Sequence, residues 1–142
     1  MSKAVRVLGV DPGSHKAGLA VVEGEWLEGV TTRVLEKLII APPRLLEEAS
    51  RLCAAWSPLA VVTGDRTGSR RALETLRPLD TPILTADEHL TSLAARGRYF
   101  ADHPPRGLWK LIPLTMRTPP VPIDDYVAVI LAERHIARLL QS

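Results

Sequence analysis

The stretch VRVLGVDPGSHKAGLAVVEG, residues 5–24, constrains the chain more than any other. Val5, Val7, Leu8 and Val10 form an apolar, β-branched run that reads as a strand buried on both faces. It ends on a carboxylate, Asp11, and Pro12, Gly13 and Ser14 then stand where a tight turn favours them. Leu19, Ala20, Val21 and Val22 resume the apolar pattern, so the stretch predicts a hairpin with Asp11 at its mouth. An Asp before Pro-Gly starts many turns for conformational reasons alone. A chemical role for Asp11 has to come from what the rest of the chain brings to it.

At 142 residues the chain is expected to form one domain, 1–142, able to bury roughly two-thirds of its unfolded surface. A composition of 46% hydrophobic and 24% charged residues is that of a globular protein, not a disordered one. No apolar run approaches the roughly 18 residues of a membrane helix, and Met1-Ser2-Lys3 leads straight into the first strand. No membrane partner and no signal peptide are therefore expected. Cys53 stands alone within an apolar helical stripe, which reads as a core residue in a reducing compartment and predicts a cytoplasmic protein.

Eighteen Lys and Arg against 16 Asp and Glu leave a formal net charge of +2. The isoelectric point is about 9.0, too weak a bias to name a nucleic-acid partner by itself. The distribution says more. Arg66, Arg70 and Arg71 cluster, Arg96 and Arg98 flank Gly97, and Arg106, Lys110 and Arg117 follow in a proline-rich stretch. Solvated helix faces can look the same, but Arg66, Arg70, Arg71, Arg96, Arg98, Arg106 and Lys110 are the expected contacts to a phosphate backbone. Tyr99 and Trp109, interleaved with these cations, suit base stacking and burial against the sheet equally well.

After the hairpin, residues 29–40 read as a third strand, stopped by Pro42-Pro43. Leu45, Leu46, Ala49, Leu52, Cys53 and Trp56 recur at helical spacing, and the helix they predict ends near Ser57-Pro58. Residues 59–63 are a short apolar fourth strand, and a helix from Ser69 follows, with Ala72, Leu73 and Leu76 inward and Pro78 as its breaker. Residues 82–85 are a fifth strand, 91–100 a helix, and 101–122 an irregular connection with a short helix at 108–112. A long helix at 124–140 closes the chain. Three strands in a meander and two reached through helical crossovers predict an α/β fold: a mixed five-stranded sheet flanked by helices.

In such a sheet the first and fourth strands should be neighbours, and ligands gather beyond their carboxyl ends. Asp11 ends the first strand, Asp65 lies just past the fourth, Asp87-Glu88 just past the fifth, and Asp124-Asp125 open the last helix. Each alone has a plain structural explanation as a turn former or helix cap. Jointly they predict carboxylates converging on one end of the sheet. Such a cluster repels itself unless a cation compensates it. Oxygen ligands with no second cysteine point to Mg²⁺ or Mn²⁺ rather than zinc. Two such ions about 4 Å apart would suit phosphodiester hydrolysis.

GVDPGSHKAGLAVV, DEHLTS and PIDDYVAVILAERHI together resemble the RuvC and YqgF branch of the RNase H-like superfamily. The resemblance implies that fold with strand order 3-2-1-4-5, and a metal-dependent nuclease acting on branched DNA or structured RNA. Members include Holliday-junction resolvases and the nuclease associated with maturing the 5′ end of 16S ribosomal RNA. The chain departs from the pattern in places. His89 stands where arginine is usual, and TGDRTGS replaces the glycine-leucine-proline signature after the fourth strand. The middle metal ligand is thus left open between Asp65 and Glu88. The resemblance implies one aspartate on the first turn of the last helix; Asp125, which would set Ala128 towards the sheet, is preferred over Asp124. The implied catalytic set is Asp11, Asp65, Glu88 and Asp125, with Asp124 as a further candidate ligand. Resolvase activity implies a homodimer, because two symmetry-related strands are cut. The competing readings are an rRNA-processing nuclease, a binding module without catalysis, and half of an actin-like ATPase, for which one domain is too little. His89 beside Glu88 is a candidate for proton transfer.

Overall fold

The computed structural model describes residues 4–65, 68–89, 91–104, 107–113 and 119–141, without the side chain of Trp109. Five strands form one sheet: β1 (Val5–Asp11), β2 (Ala17–Trp26), β3 (Val30–Ile40), β4 (Ala60–Gly64) and β5 (Ile83–Ala86). Four helices cover it: α1 (Leu45–Trp56), α2 (Ser69–Leu76), α3 (Thr91–Asp102) and α4 (Asp124–Gln141). Single 3₁₀ turns occupy Pro42–Arg44 and Gly107–Leu111. The strand order is β3-β2-β1-β4-β5, as the resemblance implied. β2 runs antiparallel to both β1 and β3, and β4 lies parallel to β1 and β5.

The period-2 alternation of a strand sorts the core into two faces. Leu8 and Val10 of β1, Leu19 and Val21 of β2, and Val61 of β4 pack with Ala49 and Leu52 of α1 and Ala72 and Leu76 of α2. Val7, Ala20, Val22 and Val62, from the opposite face, pack with Ala128, Val129, Ala132 and Ile136 of α4. A third cluster joins Ala95 and Tyr99 of α3 to Tyr126, Val127, Ile130 and Leu131. The first half of α4 is therefore buried almost all round, because the sheet takes one side of it and α3 another. Tyr99 is 7% exposed and packs edge-on against Phe100 and Tyr126, so burial, and not base stacking, accounts for it. No described helix is long and apolar enough to cross a membrane.

Glycine lets α4 lie close to the sheet. A methyl group on Gly9 would overlap the carbonyl oxygen of Ala128, and one on Gly18 the carbonyl of Asp124. Gly18 is the cross-strand partner of Asp11. The N-terminus of α4 is thereby laid directly over the carboxyl end of β1.

Candidate active site

Strand parity carries Asp11 to the α4 face, two residues beyond Gly9 and four beyond Val7. There its carboxyl meets two others. Asp124, the first residue of α4, and Glu88, in the turn after β5, are both in hydrogen-bond contact with it. Burial, then the like charges of Asp124 and Glu88, push Asp11 up from 3.8 to about 8, helped by the hydrogen bonds to both. At neutral pH this cluster retains a proton that isolated carboxylates would have lost.

Glu88 is 4% exposed and its turn is held from several sides. Its N–H donates to Asp65 Oδ1 at 3.4 Å, and its carbonyl accepts Thr91 N–H at 3.0 Å and Thr91 Oγ1 at 2.7 Å. One residue on, His89 N–H donates to Asp87 Oδ1 at 2.9 Å, and the His89 carbonyl accepts Arg134 Nη1 at 2.7 Å. The carboxylate itself occupies the space over Gly64, where any β-carbon would overlap its Cδ. The three acids line a cleft of about 570 Å³ with Ser92 and Arg96, facing an apolar wall that includes Pro119, Val121 and Ile123. A larger cleft of about 730 Å³ lies across the β1–β2 turn, bounded by Pro12, Ser14, Leu45, Arg70 and Arg71.

The structure brings Asp124, and not the preferred Asp125, to Asp11. Asp125 Oδ2 accepts Lys37 Nζ at 2.9 Å and Oδ1 accepts Tyr126 N–H at 3.0 Å, so the side chain turns towards β3 while Asp124 turns towards Asp11. Asp65 is exposed and supports the Glu88 turn from outside the cleft. Of the two residues between which the middle position was open, Glu88 is the one brought to Asp11. His89 is exposed.

Among the expected phosphate contacts, Arg70 and Arg71 are exposed beside the larger cleft, Arg96 lines the acidic one, and Lys110 is exposed on the 3₁₀ turn. Arg98 forms an ion pair with Glu133 that ties α3 to α4. Arg66, Arg106 and Arg117 lie outside the described residues. Gly64 and Lys37 escaped the sequence reading. For Gly64 the available signal was a glycine ending a strand otherwise built of buried residues.

The donors present are all oxygens, three carboxyls converge, and one of them keeps a proton because burial and then the other two carboxyls disfavour its charge. That set fits a hard divalent cation. Among the described residues no three His, Cys, Asp or Glu side chains are spaced as a ready-made metal cage. The carboxyls are held to one another by hydrogen bonds, and a cation would displace the shared proton on entry.

No family model matches the chain. The crossover junction endodeoxyribonuclease RuvC of Frankia casuarinae is 44% identical over 50 residues, which are 35% of this chain and 28% of that relative. The match thus spans well under two-thirds of the relative's length. The structure of Thermus thermophilus RuvC superposes with a TM-score of 0.66 at 17% identity, covering 100% of this chain and 97% of the other. The same protein in complex with a Holliday junction substrate gives 0.64 at 17% identity, covering 97% and 96%. The fowlpox virus resolvase with Holliday junction DNA gives 0.60 at 10% identity, covering 96% and 99%. Sheet order, helix placement and these superpositions agree, and the chain has the RNase H-like fold in the form that RuvC takes.

Proposed function

We propose that the chain is a divalent-metal-dependent endonuclease that hydrolyses phosphodiester bonds in branched nucleic acid, in the manner of a Holliday-junction resolvase. The observation that carries this reading is the meeting of Asp11, Glu88 and Asp124, from three separate elements, in one cleft at the carboxyl end of β1. Asp11, Glu88 and Asp124 are the residues that would hold Mg²⁺ or Mn²⁺. Such an ion supplies charge stabilisation to the attacking and leaving oxygens of phosphodiester hydrolysis.

The chain's own residues do the rest. The wired turn at Glu88 and the close seat of α4 on Gly9 and Gly18 keep the three carboxyls together against their mutual repulsion. Arg96 brings a cation to the rim of an otherwise acidic cleft, where a phosphate must approach. Arg70 and Arg71 line the larger cleft across the β1–β2 turn, where they would neutralise a second stretch of phosphate backbone. The matched resolvases solved with junction DNA support the same substrate. Paired incision requires a two-fold homodimer.

The test is a cleavage panel of four-way junction, single-stranded DNA and structured RNA, with Mg²⁺ or EDTA, alongside a solution mass. Paired, EDTA-sensitive cuts in the junction by a dimer are the expected result. Cleavage confined to RNA by a monomer would replace the resolvase with a processing nuclease.

A further inference from the structure

Two consecutive aspartates open α4, and a helix turns by about 100° per residue. The direction that suits Asp124 for the cluster points Asp125 elsewhere, and only a turn of one residue's step would exchange them. What holds Asp125 is Lys37. This lysine belongs to β3, the edge strand two places from β1, in register with Ala20 of β2. Its Nζ lies 2.9 Å from Asp125 Oδ2 and 4.5 Å from the centre of the Tyr126 ring. Tyr126 is anchored in turn, its hydroxyl donating to Asp102 Oδ2 at 2.8 Å. Asp125 is only 9% exposed, and its two carboxylate oxygens are met by that ammonium and by the N–H of Tyr126.

We propose that Lys37 is a positioning residue that sets the rotational phase of α4. By pairing with Asp125 it draws that carboxylate towards the sheet edge and leaves Asp124 as the acid that meets Asp11 and Glu88. The inference rests on the reading of that cluster as a metal site. With Lys37 removed, Asp125 loses the contact that draws it towards β3, and a divalent cation in the cluster would be the next positive charge to attract it. The rest of α4 stays seated through Ala128, Ala132 and Ile136, so the phase of the first turn is lost without unfolding.

The experiment measures Mn²⁺ affinity by calorimetry on the full chain for Asp124→Asn and Asp125→Asn, each in the wild-type, Lys37→Met and Lys37→Arg backgrounds, with melting curves for all. In the wild-type background Asp124→Asn should weaken Mn²⁺ at least about tenfold more than Asp125→Asn. In Lys37→Met that asymmetry should collapse, because Asp125 can replace Asp124, and in Lys37→Arg it should return. Comparing the two aspartates within one background removes the general effect of deleting a positive charge. Lys37→Gln carries the same comparison if Lys37→Met melts early. An asymmetry that survives loss of Lys37 overturns the role of Lys37. Wild-type protein that binds no Mn²⁺ overturns the metal reading instead.

Discussion

At Asp11 the ordinary order of carboxylate titration is displaced, and the consequences can be read at that one residue. An unfolded Asp loses its proton near 3.8, whereas here the proton is held to about 8 by burial and by Asp124 and Glu88. Between those values the folded chain binds more protons than the unfolded chain. Stability of the metal-free protein should therefore fall as pH rises from about 4 to about 8. Mg²⁺ must displace the same proton, so its affinity should rise over that window. Thermal melting in EDTA across the window should show the decline, and Asp11→Asn should flatten it and melt higher than wild type at its alkaline end. Asp65 and Glu88 separate at the same scale. Glu88→Gln should abolish cleavage, while Asp65→Asn, which keeps an oxygen acceptor for the 3.4 Å contact from Glu88 N–H and loses only an exposed charge, should lower it by no more than about tenfold. Equal losses in a cleavage assay would place Asp65 in the cleft.

At the scale of elements, Gly9 and Gly64 separate folding from chemistry. Gly9→Ala drives a methyl into the backbone of α4, so a helix must move, at about 1–3 kcal/mol or more. Gly64→Ala meets only the flexible end of Glu88. It should leave the melting temperature within a few degrees while lowering Mg²⁺-dependent cleavage about tenfold or more. Denaturant unfolding and cleavage measured on both variants test the contrast. Most element boundaries were legible because apolar runs and Pro or Gly breakers coincide: the third strand was expected over 29–40 and is Val30–Ile40, and the last helix over 124–140 and is Asp124–Gln141. The choice between Asp124 and Asp125 was not legible. One residue of helical phase reverses it, and the phase is set by Lys37, distant in sequence on another strand. Arg98 escaped for the same reason, since its partner Glu133 comes from the next helix.

For the whole molecule, a net charge of +2 hides a segregation of signs: the acids converge in one cleft with Arg96 at its rim, Arg70 and Arg71 line the other cleft, and Lys110 is exposed. Four phosphate contacts predict a binding slope of about −3 to −4 in log K against log salt. Arg70→Ala should reduce that slope by about 1. Arg98→Ala should leave it unchanged and destabilise the fold instead, since it breaks the tie to Glu133. Fluorescence anisotropy on a labelled four-way junction reads both. The proposed catalytic role of the three-acid cluster at the end of β1 is tested by Mg²⁺-dependent cleavage of that junction by Asp11→Asn under conditions where it is fully bound. The expected variant is folded, binds the junction at wild-type affinity and cuts it at less than about a thousandth of the wild-type rate, a loss of at least about 4 kcal/mol in transition-state stabilisation. Near-normal cleavage by Asp11→Asn, or wild-type cleavage that persists in EDTA, would contradict it.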